Sequence, residues 1–378
     1  MLGERSKPPR AAAEPGEVEM DISEATKSYE SWLRHCTEVV ESELTWKHRQ
    51  MRGDLFMFFR GTYYRWTQLW REVCKNLLNA PRVIGVGDLH VGSYGTWRDS
   101  EGRLCWGVDD FDDSYPLPYT NDLVRLATSV KLLTDSSNLN IKYREGCQAI
   151  LEGYKEALGE GGCAFVLAEH EVNLEHLGIE AIKPPPSFWD KLLRDPFVNG
   201  HKVPPDARRA LEKTLPPRAV YKVVRRKAGM GSLGQRRFVA ITMYEGGYIG
   251  REAKATVPSA SLWKEGKRGR GERYYERAIA SAVRSHDPYQ RVIGDWLIRR
   301  LSPDSNPIGI DNLPKKRDEH KLLHAMGKEV GNVHLGQRRQ RTRILQDVRR
   351  RPKNWLRRAG KQMARIVEKE WKQYRKAG

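Results

Sequence analysis

The stretch VIGVGDLHVGSYGTWRDSEGRLCWGVDDFDDSYPLPYTND, residues 83–122, decides how the rest of this chain is interpreted. It begins with an apolar segment, passes through GDLH, turns at DSEG and returns through LCWGV into DDFDD, where four aspartates occur within five residues. Glycine and aspartate between apolar runs are typical of strands joined by loops. The stretch therefore predicts strand, loop, strand, loop. It is also unusual, because a chain with a formal net charge of +19 gathers carboxylates here.

Length and composition limit the class of protein. The chain has 378 residues, of which 39% are hydrophobic, enough for one large core or two lobes. No segment approaches the ~20 apolar residues of a membrane helix, and the N-terminus lacks the apolar core of a signal peptide. The five cysteines are widely spaced and form no CxxC pair. We therefore expect a cytoplasmic protein with reduced thiols, without a membrane span and without a zinc site.

The chain divides into segments of different character. Helical spacing of apolar residues dominates the first half, prolines punctuate residues 183–217, and the alternating segments AVYKVV and FVAITMY follow before helical patterns resume. We predict a disordered lead-in (1–22), a larger helical lobe with the catalytic and metal-binding loops (23–215), a small β-rich nucleotide-binding lobe (216–305), and returning helices with a basic tail (306–378).

Positive charge is concentrated at the C-terminus. Residues 337–378 contain 16 Lys or Arg against 3 Asp or Glu, a net charge of +13. A basic surface attracts polyanions such as nucleic acid, whereas a solvated basic helix can serve solubility alone. Charge leaves both interpretations open, so a polyanion or nucleic-acid partner at the tail is one of two expectations.

A second motif, GMGSLG at Gly229–Gly234, matches the pattern G-x-G-x-x-G. A dinucleotide-binding fold would require a helix after the last glycine, but the apolar, β-branched FVAITMY predicts a strand. A glycine loop between two antiparallel strands is the phosphate cover of protein kinases, because a chain without Cβ lets backbone N–H groups approach phosphate. Taken alone, the motif fits an ordinary glycine-rich hairpin better.

Two charged residues strengthen the kinase interpretation. Lys254 lies on the predicted third strand of this unit, and Glu276 lies on the following predicted helix. In kinases a strand lysine binds phosphate and a helix glutamate holds that lysine. Either residue alone would be an ordinary surface charge. The order of loop, lysine and glutamate therefore predicts an ATP site formed by Gly229, Gly231, Ser232, Gly234, Lys254 and Glu276.

The opening stretch supplies the remaining chemistry. Phosphoryl transfer needs an aspartate that positions the acceptor hydroxyl and an acidic residue that holds Mg²⁺ against the phosphates. Asp88 suits the first role and Asp110 the second, and Asp112 would add a carboxylate on the same side of a strand. Metallophosphoesterases also use a GD-x-H sequence, but they need downstream Asn and His motifs. The nearest here, GNVH at 331–334, has the wrong spacing.

These motifs, in this order, resemble a family of bacterial proteins, domain of unknown function family 2252. GDLHVGSYG, VDDFDD and DLVRLATS resemble its patterns GD-x-H-x-x-N-F-G, N-D-F-D-E and W-D-x-x-R-L-x-x-S. FFRG, GMGSLG and AKATVPSA resemble its F-x-R-G, V-G-S-V-G and V-K-E-A-x-x-S segments. The resemblance runs from about Phe56 to about His334, and the shared order makes it specific.

The resemblance implies an α+β, two-lobed protein-kinase-like fold, similar to aminoglycoside and choline phosphotransferases. It implies that Asp88 is the catalytic aspartate, that Asp110 binds metal and that Asp122 braces the catalytic loop, with His90 and Arg125 as further structural support. The glycine loop follows the catalytic aspartate here, whereas it precedes it in ordinary kinases. The resemblance therefore implies circular permutation, with the catalytic-loop lobe first and the glycine-loop β lobe second.

One position departs from the family pattern. Ser93 stands where the family has asparagine, normally the other metal ligand. A serine hydroxyl is shorter and binds more weakly than an amide oxygen. Ser93 is thus a weaker candidate metal ligand beside Asp110 and Asp112, and this difference favours reduced activity.

The sequence predicts an ATP- and Mg²⁺-dependent phosphotransferase acting on a hydroxyl of an unidentified small molecule or protein. Transfer of AMP would use nearly the same residues, so nucleotidyl transfer stays open. The alternative is a non-catalytic ATP-binding pseudokinase scaffold whose basic tail binds nucleic acid or another polyanion. Ser93 favours the scaffold, and the retained Asp88, Asp110, Lys254 and Glu276 favour the enzyme.

Overall fold

The structure is a computed structural model of the chain, and it describes residues 20–136, 139, 141–170, 184–194, 202–266, 274–305 and 319–377. Residues 1–19 of the predicted disordered lead-in lie outside the described residues, as do residues 306–318 at the start of the predicted returning segment. Across the described ranges, none of the helices combines the length and the apolar character needed to cross a membrane.

Helices are the commonest element. They are α1 (Ile22–Cys36), α2 (Glu41–Gly53), α3 (Leu55–Gly61), α4 (Tyr63–Val73), α5 (Thr120–Asp135), α6 (Tyr143–Glu160), α7 (Leu167–His170), α8 (Pro185–Leu193), α9 (Pro205–Glu212), α10 (Ala260–Lys264), α11 (Tyr275–Ser281), α12 (Glu319–His334), α13 (Arg341–Arg350) and α14 (Trp355–Lys376). The start of α1 shows a complete capping box, because Asp21 accepts from the backbone N–H of Glu24 and the Glu24 side chain accepts from Asp21 N.

The strands form three sheets among the described residues. They are β1 (Arg82–Gly85), β2 (Tyr94–Arg98), β3 (Leu104–Val108), β4 (Tyr115–Pro118), β5 (Phe165–Val166), β6 (Lys222–Arg225), β7 (Arg237–Tyr244), β8 (Gly247–Ala255), β9 (Arg291–Ile293) and β10 (Trp296–Leu301). Strand β1 pairs with β4, β2-β3-β5 form a second sheet, and the largest sheet has the order β6-β7-β8-β10-β9. The predicted mixture of helices and strands is therefore confirmed.

Turn residues account for two hairpins of the largest sheet. Strands β7 and β8 join through Glu245 and Gly246, whose positive φ values of 46° and 85° suit a two-residue hairpin. Gly294, with φ 62°, turns β9 into β10. Strands β9 and β10 therefore pair as a short antiparallel hairpin.

The opening stretch contains four strands. Strands β2 and β3 pair across the DSEG turn as expected, with Tyr94 opposite Val108. The apolar strand β1 pairs with β4 and not with the returning LCWGV strand, so Val83 lies opposite Leu117. The reason is local: the intervening loop closes on itself, with Ser93 N donating to the His90 carbonyl oxygen at 2.9 Å, and β2 starts a separate hairpin.

The last helices share a core with the first. Helix α12 lies so close to α6 that a Cβ at Gly153 would come within 2.0 Å of the His324 carbonyl oxygen. Helix α14 packs against α5 and buries Met363 and Val367. The segment predicted to be a basic tail therefore contains a core helix.

Candidate active site

A cavity of about 340 Å³ lies between the five-stranded sheet and the β2–β3 hairpin. The predicted site residues that line it are Asp88, His90, Ser93, Asp110, Asp112, Gly229, Gly231, Ser232 and Lys254. The other four predicted residues, Asp122, Arg125, Gly234 and Glu276, lie outside its wall. Three distant parts of the sequence therefore meet at one cavity.

Asp88 lies in the loop after β1. Gly87 has φ 82°, and a Cβ there would lie 2.3 Å from the Asp113 carbonyl oxygen, so the turn requires glycine. Asp88 Oδ1 accepts hydrogen bonds from Arg125 Nε, at 2.9 Å, and from Arg125 Nη2. Burial raises the pKa of Asp88, and the Arg125 charge opposes that shift. Oδ2 faces the glycine loop, 3.4 Å from the position a Cβ of Gly231 would take.

Arg125 holds Asp88 from within the core. Its side chain is fully buried, and its Cζ lies 4.1 Å from the ring centroid of Phe59. Nη2 also donates to the Phe59 carbonyl oxygen at 3.0 Å. A guanidinium packed on an aromatic face is a rigid cation, which is the geometry that structural support of Asp88 requires.

Asp122 holds the backbone before Asp88. Its carboxylate accepts from Val86 N at 2.6 Å and from Gly87 N at 3.1 Å. His334 Nε2 lies 3.1 Å from the same carboxylate. In the sequence, His334 belongs to the GNVH segment, and its place at the end of an apolar helical face is the one signal of this buried role.

His90 and Ser93 close the loop internally. Ser93 Oγ accepts from His90 N at 3.1 Å and donates to the Asp88 carbonyl oxygen at 3.2 Å. His90 Nδ1 accepts from Gly92 N at 3.0 Å. Burial and two nearby arginines lower the pKa of His90 well below its ordinary value, which keeps Nδ1 an acceptor. The Ser93 hydroxyl predicted to bind metal is therefore engaged in the loop's own hydrogen bonds.

The aspartates of DDFDD occupy different environments. Asp110 is exposed and lines the cavity, with Oδ1 accepting from Asp112 N at 3.2 Å. Asp112 forms an ion pair with Lys254. Burial raises the pKa of Asp109 to about 6 and that of Asp113 to about 7. Asp110 is thus the carboxylate of this group that is most accessible to a cation.

The glycine loop joins antiparallel β6 and β7, as predicted. Two of its glycines have positive φ, 76° and 95°. Lys47 Nζ donates to the Gly231 carbonyl oxygen at 2.9 Å, and Arg237 Nη2 donates to Ser232 Oγ at 2.9 Å. The loop is therefore held from α2 and from the sheet. The contact of Lys47 could not be predicted, because a lysine in an ordinary helical pattern carries no signal of it.

Lys254 lies on β8, the third strand in sheet order, and is buried. Burial lowers its pKa to about 8, although nearby aspartates favour the charged form. The predicted ion pair between Lys254 and Glu276 is not formed. Lys254 pairs with Asp112, while the exposed Glu276 accepts from Val292 N at 3.2 Å. Helix α11 directs Glu276 toward edge strand β9, so Glu276 does not hold Lys254 as the sequence predicted.

Three arginines share one buried carboxylate, a feature that the sequence did not reveal. Glu252 Oε atoms accept from Arg226 Nη1 at 2.6 Å, Arg237 Nη1 at 3.1 Å and Arg299 Nε at 2.5 Å. Burial alone would raise the pKa of Glu252, but the three guanidinium charges outweigh it and hold the pKa well below its ordinary value. We call these four residues the Glu252 cluster.

The carboxylates at the cavity suit Mg²⁺ that is bound together with phosphate and water. Asp110, which is exposed and lines the cavity, offers the kind of hard oxygen ligand that this ion prefers. Within the part of the chain that the structure describes, no three His, Cys, Asp or Glu side chains gather into a metal site. Mg²⁺ often binds through one or two carboxylates together with substrate phosphates and water. These residues therefore fit Mg²⁺ that arrives with a phosphate ligand.

A family model described as an uncharacterized protein conserved in bacteria (DUF2252) matches residues 39–176. This range contains Asp88, Asp110 and Asp122 and ends before the glycine loop, so the expected resemblance is confirmed over that part of the chain. No curated protein and no solved structure matches the chain.

Proposed function

We propose that this protein is an ATP- and Mg²⁺-dependent phosphotransferase whose acceptor is a hydroxyl group of a small molecule or protein. The observation that carries the proposal is the shared cavity, where Asp88, Asp110, Lys254 and the GMGSLG loop meet. A glycine loop between the first two strands of a sheet and a lysine on the third are parts of a kinase site. They support a kinase-like fold in which the two lobes occur in permuted order.

The contacts define a role for each residue. Asp88 Oδ1 is held by Arg125, so Oδ2 would accept the proton of the acceptor hydroxyl. The hydroxyl oxygen would then bond to the γ-phosphorus as the bond to the ADP oxygen breaks. Lys254 and the loop N–H groups would bind phosphate oxygens, and Asp110 would hold Mg²⁺, which neutralises phosphate charge when bound.

Label transfer tests this function. The γ-phosphate of labelled ATP should enter acceptors of a bacterial extract with the wild-type protein, and Asp88→Asn should lose this transfer while retaining ATP binding. Glu101→Gln, an exposed carboxylate change on the β2–β3 turn, is the matched control. Equal labelling by the wild type and Asp88→Asn would contradict the proposal.

A second candidate is a non-catalytic nucleotide-binding scaffold. The observations that favour it are the Lys254–Asp112 ion pair and the internal engagement of the Ser93 hydroxyl. The scaffold would bind Mg-ATP without consuming it. ATP binding combined with complete absence of transfer and hydrolysis would support this candidate.

A further inference from the structure

The sheet side of the active-site cavity is charged where a base-binding pocket would be apolar. Arg226, Arg237 and Arg299 line the cavity, and Glu252 lies behind them, fully buried. One carboxylate therefore orders three guanidinium groups and neutralises the charge of only one. Each guanidinium is a planar fork that can pair with two phosphate oxygens.

Two apolar residues on the same face of the sheet, Leu297 and Leu301, line the cavity, and others are covered by a helix. Val239 and Ile241 follow Arg237 at alternate positions of β7, so they share its face. They pack with Trp189 and Leu192 of α8 in a separate small core. Pockets for organic ligands are usually lined by hydrophobic and aromatic side chains and span about 300–1,000 Å³. At about 340 Å³, this cavity is near the lower end of that volume range, and its sheet wall places the guanidinium groups of the cluster beside Leu297 and Leu301.

Two further arginines at the cavity each contain one nitrogen without a hydrogen-bond partner among the described residues. Arg60 and Arg284 both line the cavity, and in each the nitrogen is a buried Nε. A buried donor without a partner is costly, and an oxyanion would satisfy it. Together with the guanidinium groups of the Glu252 cluster, these donors favour an anionic ligand in the cavity.

We propose that the phosphoryl donor is recognised through its polyphosphate chain and not through its base. The Mg²⁺ complexes of any nucleoside triphosphate, and of inorganic tripolyphosphate, then bind with similar affinity. This inference rests on the proposed function and names the donor class of the same site.

A larger cavity is the competing location for a base. It has a volume of about 1140 Å³ and shares Arg226 and Leu301 with the active-site cavity. Phe188 gives it one half-buried aromatic side chain, but Lys191 and Lys202 also line it. Selective binding of one base would therefore indicate that the donor extends into this larger cavity.

Calorimetric titration of the full chain with Mg²⁺ complexes of ATP, GTP, CTP and tripolyphosphate separates the outcomes. We expect four dissociation constants within about threefold of one another and no binding of adenosine. ATP that binds tenfold or more tightly than tripolyphosphate, or than GTP and CTP, overturns the inference and leaves the proposed function intact. If none of the four ligands binds, both the inference and the proposed function are overturned.

Variants test whether the arginines that line the cavity bind the phosphates. Arg226→Gln should weaken all four ligands equally, by about tenfold or more, because one charge-assisted contact is lost. Lys142→Gln removes one charge at an exposed position outside the cavity and should change nothing. If Arg226→Gln does not fold, Arg60→Gln replaces it, because Arg60 Nε has no described partner to lose. Weaker ATP binding with unchanged tripolyphosphate binding would contradict the inference.

Discussion

His334 and Asp122 are 212 residues apart in the chain, and their side chains meet in the core with His334 Nε2 3.1 Å from Asp122 Oδ2. Both side chains are almost completely buried. Asp122 also accepts from the backbone N–H groups of Val86 and Gly87. The contact therefore links α12 to α5 and to the loop that carries Asp88.

Asp122→Asn should lower the free energy of unfolding by about 3 kcal/mol, because an amide N–H₂ would face groups that donate hydrogen bonds. Urea unfolding measures this change. Asp135→Asn, on the exposed end of the same helix, is the control and should change stability by less than about 0.5 kcal/mol. Equal stability of the two variants would show that Asp122 does not brace the loop.

The stability of the protein should depend on pH through Asp113. Burial, with the charges of Asp88 and Asp110, raises the pKa of Asp113 to about 7, whereas an unfolded chain has a value of about 3.9. Between these pH values the folded state therefore binds more protons than the unfolded chain. The stability that the protonated Asp113 carboxyl contributes is lost as the pH rises through 7.

Asp113→Asn should remove that part of the pH dependence. We expect the variant to match the wild type most closely at pH ~4 and to exceed its unfolding free energy at pH ~8 by about 1 kcal/mol or more. Urea unfolding at both pH values provides the comparison, with Glu101→Gln as the exposed control. A variant that keeps the wild-type slope would refute the assignment to Asp113.

The two faces of α14 should respond differently to substitution. Arg358, Lys361 and Arg365 are exposed, whereas Met363 is buried. If the basic face binds polyanions, replacing the three cations with Gln should reduce retention on heparin without loss of stability. Met363→Ala should lower the unfolding free energy by about 2–5 kcal/mol and leave retention unchanged.

Deletion of residues 337–378 is a poor test of the tail, because it would also remove the buried ion pair between Glu370 and Arg65, whose Nε–Oε2 distance is 2.6 Å. Unchanged retention of the triple variant would show that the basic face serves another purpose.

The parts of the site that local sequence controls were predictable. The glycine loop between β6 and β7 and the position of Lys254 on the next strand follow from turn residues and alternation. Asp110 could be recognised because carboxylates were concentrated after an apolar strand.

The remaining features depend on tertiary packing. Nothing local indicates that α11 turns Glu276 toward β9, or that Asp112 takes its place beside Lys254. The Glu252 cluster likewise draws residues from the glycine loop and three strands. Their individual charges resemble surface residues in the sequence, and only the sheet register brings them onto one face.

A crystal structure of the full chain with Mn²⁺ and a non-hydrolysable ATP analogue tests the central claim most directly, because Mn²⁺ can be located by its anomalous scattering. The account predicts a metal about 2.0–2.2 Å from an Asp110 oxygen, with the phosphates between the 229–234 loop and Lys254. Phosphates bound only in the larger cavity beside Lys191 and Lys202, or a metal without contact to Asp110, would contradict it.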